Sequence, residues 1–312
     1  MSRTSLILDC DPGVDDAFAL FLAFASPESL ELLGVTTTAG NVEARLTARN
    51  ARLIRQLADR EDVPVYAGAE TPLVRPPIVA SHFHGESGLG NLEVFEPARP
   101  AEPGHAAAFI AETVMSRPPG SVSMAVTGPM TNLALALELS PAIAGRLGTV
   151  VVMGGARREG GNITASAEYN IHADPHAAER VFASGCPVVT LGLDATHQVR
   201  ASPERVRAVK ALDTPAARTV ARLLDFSVHV EKTLVGGDSP PLHDPCTIAW
   251  LLAPQLFTAV PVDLKVETAS PLTMGHTAVE FRLPEGFVPT VRWVTEVDHE
   301  AVFALMLERL AR

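Results

Sequence analysis

The sequence predicts a layered α/β sandwich built on a mostly parallel, Rossmann-like central sheet. Three observations carry that expectation. Short apolar, β-branched runs alternate with longer helix-like stretches, a pattern that implies parallel strands with helices packed on them. Polar clusters recur directly after the short runs, at the strand ends where open α/β sheets bind ligands. No Ser/Gly-rich linker, long charge run or fixed-period repeat interrupts the 312 residues, so one domain over 1–312 is expected.

The elements follow in order. "SLILD" (5–9) reads as the first strand, and "DDAFALFLAFAS" (15–26) as a helix so apolar on every side that it must be buried. "LELLGVTTT" (30–38) is the next strand, "VEARLTARNARLIRQLADR" (42–60) an amphipathic helix and "VPVYAG" (63–68) a third strand. A loop rich in Pro, Gly and His runs from Leu73 to about Asn91. A helix over 105–115 precedes a strand at 122–128, a helix at 130–140 and a strand at 148–155 that ends in a Gly-rich loop. A helix at 174–184 and a strand at 187–194 complete the alternation. Further helices are expected over 203–212, 214–233, 245–252 and 299–311.

Composition narrows the function. Hydrophobic residues make up 47% of the chain, enough for a large core. The net charge of −11, from 25 basic and 36 acidic residues without a basic cluster, argues against nucleic-acid binding through phosphate neutralisation. Three widely spaced cysteines, Cys10, Cys186 and Cys246, do not suggest a disulfide framework and favour a reducing compartment. The N-terminal "MSRTSLILDCD" lacks the apolar stretch of a signal peptide, and "AFALFLAFA" (17–25) is too short to span a bilayer. A cytoplasmic protein without a membrane partner is the expectation.

The chemistry is announced at 9–16, where "DCDPGVDD" places four aspartates. Asp9 and Asp11, two apart on a strand end, share a face. Pro12-Gly13 turns the chain, and Asp15 and Asp16 open the helix, whose positive end favours carboxylates. Capping needs one aspartate, and the helix end offsets each by only about 0.3–1 kcal/mol. Carboxylates crowded against a core require a stronger neutraliser, and all-oxygen ligation suits a hard divalent cation, Ca²⁺ or Mg²⁺. The stretch is not an EF-hand: counting from Asp9, the positions that need Gly and Glu hold Val14 and Leu20. No phosphate loop occurs, and "VVMGGA" is not a dinucleotide fingerprint.

"DCDPGVDDAFAL" resembles the N-terminal signature of the inosine–uridine-preferring nucleoside hydrolases, D-x-D-P-G-x-D-D-A. "TTTAGN" (36–41), "HFHGESGLGN" (82–91), "VTGPMTNLALAL" (126–137), "VVMGG" (151–155), "GNITASAEYNIHADPHAA" (161–178), "GLDATHQ" (192–198) and "HDPCTIA" (243–249) are similar to family segments in family order, over essentially the whole chain. The resemblance implies the nucleoside hydrolase fold and an N-ribohydrolase that uses one Ca²⁺ to release a nucleobase from a ribonucleoside. It implies Asp11, Asp16 and Asp244 as carboxylate ligands and the Thr127 carbonyl as another. Asp11 would also be the general base toward a metal-bound water. Asp15 would contact the ribose hydroxyls beside the ion, with Asn41, Asn162, Glu168 and Asn170 around the rest of the sugar and Met153 packed near it. Asp244 would border the substrate as well. His243 would stand where some members protonate the leaving base. Relatives are dimers or tetramers, so a homodimer or homotetramer is implied.

These roles suit the reaction. Ca²⁺ takes roughly six to eight oxygen ligands and can accept a ribose diol together with water. Cleavage of the C1′–N bond builds oxocarbenium-like charge on the sugar, which a carboxylate-rich pocket opposes. His243 titrates near neutrality when unperturbed and can act as an acid. His82 and His84 form an H-x-H pair without a third ligand at zinc spacing, and read instead as part of an active-site loop. Cys10 reads as a core residue, Asn132 as structural, and Asp9 as a group that orients loop backbone or Asn41.

The sequence departs from the family at the base site. Characterised relatives often carry aromatic residues before "HDP"; here the two tyrosine positions fall on Glu231 and Gly236 by ungapped counting. His229, Glu231 and His243 are the candidates to address a base by hydrogen bonding. Two other classes fit the sequence less well. A haloacid-dehalogenase-like phosphatase also has D-x-D after its first strand, but P-G-x-D-D does not fit that pattern. A non-catalytic nucleoside or ribose binder on the same fold would have no use for Asp11 as a base.

Overall fold

The computed structural model describes residues 3–312. In chain order the elements are β1 (Thr4–Cys10), α1 (Val14–Phe24), β2 (Leu30–Thr37), α2 (Ala44–Leu57), β3 (Val65–Ala67), α3 (Ser81–His84), α4 (Ala106–Ser116), β4 (Val122–Val126), α5 (Thr131–Leu139) and β5 (Leu147–Met153). Then come α6 (Tyr169–Ala173), α7 (Pro175–Ala183), β6 (Val188–Leu191), α8 (Leu193–Thr196), α9 (Pro203–Lys210), α10 (Pro215–Val230), α11 (Pro245–Leu252), β7 (Phe257–Val266), β8 (Thr277–Glu280), β9 (Val291–Val297) and α12 (His299–Leu310).

All nine strands belong to one sheet, ordered β3-β2-β1-β4-β5-β6-β9-β7-β8. From β3 to β9 every pairing is parallel; β7 runs antiparallel to both β9 and β8. The expected mostly parallel α/β architecture is therefore present. Side chains alternate between two cores, as the period of two in a strand requires. Leu6, Leu8 and Cys10 of β1 join Ala125 and Val151 in the core beneath α1, α2 and α9 to α12. Ile7 joins Met124, Val126, Val150 and Val152 in the core beneath α4, α5 and α7. With both faces covered, the central strands are apolar runs.

The elements expected from sequence up to residue 252 are found within a few residues of their predicted bounds. Two differences are informative. The loop of 73–91 contains the single helical turn α3, and the strand expected to reach Asp194 ends at Leu191, after which the chain turns into α8. The last three strands were not foreseen. Pro261 sits inside β7, where a missing N–H reads as a strand breaker, and β8 has only four residues. No helix among the described residues is long and apolar enough to cross a membrane. Cys10, Cys186 and Cys246 are free and buried.

Candidate active site

Three adjacent parallel strands, β1, β4 and β5, end side by side, and the chain leaves each on a polar residue or glycine. Asp11 follows β1, Thr127 follows β4 and Gly154 follows β5. Their position at the carboxyl edge is the reason a site forms there.

Asp11 is fully buried and tightly enclosed. Its Oδ2 accepts a 2.7 Å hydrogen bond from the Asn41 amide. A Cβ on Gly40 would lie 2.0 Å from Oδ2, and one on Gly128 2.4 Å from Oδ1, so both neighbours must lack a side chain. Oδ1 is buried without a hydrogen-bond partner among the described residues. Asp16, in the first turn of α1, accepts from Gly13 N (3.0 Å), Asn41 Nδ2 (2.9 Å) and the Thr127 hydroxyl (2.7 Å).

Asp244 arrives from the far end of the chain at the start of α11, and the carboxylates of Asp15, Asp16 and Asp244 offer oxygens within 4.8 Å of one another. Asp15 thus stands in the trio, where the sequence reading set it beside the ion and named Asp11 instead. Burial, then the charge of Asp15, pushes Asp16 up to about 6. Burial and neighbouring aspartates push Asp11 and Asp244 well above the usual carboxylate range. Such a group of acids, taken out of water and facing one another, must hold protons or a cation. Its all-oxygen donor set and the unpartnered Asp11 Oδ1 fit a hard ion.

Asp9 is not part of this group. Its Oδ1 accepts from the Thr36 hydroxyl (2.6 Å) and Asn132 Nδ2 (2.8 Å), and from neither of the partners expected, loop backbone or Asn41. Neighbouring β2 and the start of α5 reach it first. Asn132 also donates to Thr37 O (3.0 Å) and accepts from Ala69 N (2.9 Å), the structural role read from sequence.

Beside the carboxylates lies a cavity of about 420 Å³. Asp15, Asn41, Thr127, Met153, Asn162, Glu168, Asn170 and Asp244 line it, so every residue expected around the sugar is in its wall. Asp11 and Asp16 are not in the wall; both are tied to it through Asn41. Glu168 caps α6, accepting from Asn170 N (2.9 Å) and Ile171 N (3.2 Å), and also from Gly155 N (3.0 Å) after β5. Burial raises its carboxyl to about 7. The Asn162 side chain accepts from Tyr169 N (2.8 Å), and Asn170 Nδ2 donates to Thr127 O (2.7 Å) and Met153 O (3.2 Å).

Phe83, His84, His197, Arg200, Glu231 and His243 line the cavity as well, among others. His84 Nδ1 accepts from Val14 N (3.1 Å), which fixes the loop of 82–91 over the start of α1, as its reading as a site loop requires. His243 Nδ1 pairs with the Thr196 hydroxyl at 2.8 Å. Burial first, then the nearby His197, His84 and Arg200, pushes His243 down to about 3, so its imidazole is neutral at pH 7. His229 and Gly236 are not in the wall, whereas Glu231 and Val235 are. Sequence reasoning missed Phe83, His197 and Arg200. The signal was present: "GLDATHQVR" follows β6 at the same sheet edge, and Phe83 lies between the two loop histidines.

Comparison with known proteins finds relatives over nearly the whole chain. The sequence profile described as "Inosine-uridine preferring nucleoside hydrolase" matches residues 6–304. The chain is 43% identical over 307 residues to the pyrimidine-specific ribonucleoside hydrolase RihA of Klebsiella pneumoniae, covering 98% of each. It is 44% identical over 308 residues to an uncharacterised protein of Schizosaccharomyces pombe, covering 98% of this chain and 99% of the other. Among solved structures, a plant nucleoside hydrolase superposes with a TM-score of 0.93 at 31% identity, covering 99% of both chains. A purine-preferring ribonucleoside hydrolase from Gardnerella vaginalis superposes with a TM-score of 0.92 at 34% identity, covering 99% of this chain and 98% of that one.

Proposed function

Because the chain belongs to the inosine–uridine preferring nucleoside hydrolase family, whose members hydrolyse the N-glycosidic bond of nucleosides, we propose that it acts on ribonucleosides with Ca²⁺ and with Asp11 as the general base. Pyrimidine ribosides are the first substrates in this reading, since the similar RihA chains are named for them. The observation that carries it is the buried carboxylate group beside a cavity that Asn41, Asn162, Glu168 and Asn170 line, with one Asp11 oxygen left unpartnered among the described residues.

Asp11, Asp16 and Asp244, with the Thr127 carbonyl, would hold the ion, and Asp15 stands close enough to join them. A bound Ca²⁺ supplies Lewis acidity and a fixed anchor for the 2′,3′-diol. The chain's own residues do the rest. Asp11 accepts the proton of the attacking water at Oδ1, the oxygen that Asn41 leaves free. Asn41, Asn162 and Asn170 offer the donors and acceptors that ribose hydroxyls need. Asp15, Asp244 and Glu168 oppose the positive charge that grows on the sugar as the bond to the base stretches. His243, held neutral, faces the leaving base as a hydrogen-bond donor through Nε2 when the Thr196 hydroxyl donates to Nδ1.

The test is a panel of purine, pyrimidine and non-standard ribosides, with and without chelator, followed by release of free base and ribose. Turnover of a pyrimidine riboside that chelation abolishes and Ca²⁺ restores is the expected result. Binding without release of base would favour a nucleoside-binding protein, and turnover indifferent to chelation would refute the metal's part.

A further inference from the structure

The wall of the cavity carries an ion pair that the reaction described above does not use. Ser227, Val230, Glu231 and Val235 form one stripe along the end of α10 and the wide π-helical turn Glu231–Val235 that continues it. From that stripe Glu231 meets Arg200, with Oε1 and Nη1 3.7 Å apart. The Glu231 side chain is only 11% exposed, and among the described residues no donor hydrogen-bonds to its carboxylate. Arg200, by contrast, is anchored: its Nε donates to His197 O (3.1 Å) and its Nη1 to Ser239 O (3.0 Å), leaving Nη2 uncommitted. Its backbone pairs with Pro241 across an isolated bridge, and Pro241 lines the same cavity. Gly237 gives the carboxylate room, since a Cβ there would lie 2.8 Å from Glu231 Oε1.

A mostly covered carboxylate can only accept hydrogen bonds, and leaving it unmatched is costly. We propose that Glu231 is a specificity-determining residue that accepts a hydrogen bond from an N–H on the base edge remote from the glycosidic bond, and that Arg200 is the positioning residue that keeps it aimed into the pocket. The ligand class is a riboside whose base presents such a donor next to an acceptor: the N3–H and O4 of uracil, or the amino group and N3 of cytosine. A base blocked by methylation at that nitrogen is disfavoured, because Glu231 then loses its partner. A site built to receive an N–H discriminates against the analogue without it more strongly than an apolar wall does. This inference rests on the ribonucleoside hydrolase reading and deepens it at the base.

The experiment compares uridine with 3-methyluridine, and inosine with 1-methylinosine, in the wild-type chain and in Glu231→Ala, Glu231→Gln and Arg200→Ala. The riboside of p-nitrophenol, whose leaving group carries no N–H, is the reference substrate. Methylation is expected to lower the wild-type kcat/KM at least tenfold. Glu231→Ala is expected to lower the uridine-to-reference ratio at least tenfold and to make the enzyme indifferent to methylation, so that the double-mutant cycle closes on a coupling between Glu231 and the N–H. Arg200→Ala should move the same ratio in the same direction, mainly through KM. Equal methylation penalties, within twofold, in the wild type and Glu231→Ala would overturn the proposal. Should the wild type turn over no riboside, including the reference, the hydrolase reading fails by itself. Calorimetric binding of uridine against 3-methyluridine to both proteins then decides the role of Glu231: loss of discrimination in the variant supports it and equal discrimination overturns it.

Discussion

The side-chain amide of Asn170 donates a 2.7 Å hydrogen bond to the carbonyl oxygen of Thr127. The two residues come from the loop after β4 and from α6, and the bond joins the sugar end of the cavity to the expected metal end. A carbonyl oxygen has two lone pairs, so Thr127 can accept from Asn170 and still face an ion.

Removing that donor should therefore weaken the metal site without touching a carboxylate. Asn170→Ala is expected to lower Ca²⁺ affinity by about tenfold, the usual cost of losing a partner that orients a ligand. Calorimetric titration of the chelated protein with Ca²⁺ measures it, and an unchanged affinity would show that Asn170 serves only the sugar.

Asp11 should be indispensable to turnover and nearly irrelevant to folding. Its one external donor is the Asn41 amide, and its other oxygen has none. Asp11→Ala is expected to lower kcat by at least about 10³-fold, the scale of a general base that also helps hold the ion. Release of free base followed by ultraviolet absorbance, beside a circular dichroism spectrum that matches the wild type, is the check. Retained activity would remove Asp11 from the reaction.

Asn132 should behave in the opposite way. It binds Asp9, Thr37 and Ala69 at once in a fully buried position. Asn132→Ala strands those groups and is expected to cost about 1–3 kcal/mol of stability for each polar group left unmatched. Urea denaturation reads the loss, while KM for a riboside stays near the wild-type value. A large KM change at full stability would place Asn132 in the site.

Glu168 makes folding stability depend on pH. Burial raises its carboxyl from 4.5 to about 7, so the folded state holds the proton more tightly than the unfolded chain. The stabilisation is complete below pH 4.5 and is lost as pH rises through 7. Relative to Glu168→Gln, the wild type is expected to lose about 3 kcal/mol of stability across that window. Denaturation curves in chelator at both ends of it give the difference, and a difference that does not change with pH would contradict the shift.

Much of the layout was legible because it rests on local pattern. Leu6, Leu8 and Cys10 alternate with Ile7 on a run that both cores bury, and Asp15 and Asp16 open a helix by its dipole. The sheet edge of β7 and β8 was not legible, since Pro261 and short length mask strands that pairing with β9 stabilises. At the site, the residues that the resemblance assigned to the ion and the sugar border the cavity or bind a residue that does. Asp9 was misassigned because sharing a strand face with Asp11 does not determine which neighbour arrives first. Thr36 and Asn132 come from elements far along the chain. Arg200 escaped notice for a similar reason, since only the fold sets it opposite Glu231.

Asp11 leaves the first strand, whereas Asp244 opens the eleventh helix. A growing polypeptide can therefore assemble the β1–α1 turn early and still lack one jaw of the proposed ion site until α11 has been made. In the proposed metal-bound form, occupancy by the cation would report that the late segments have docked, and a chain cut short before α11 would keep Asp11, Asp15 and Asp16 facing one another without Asp244 to complete the site.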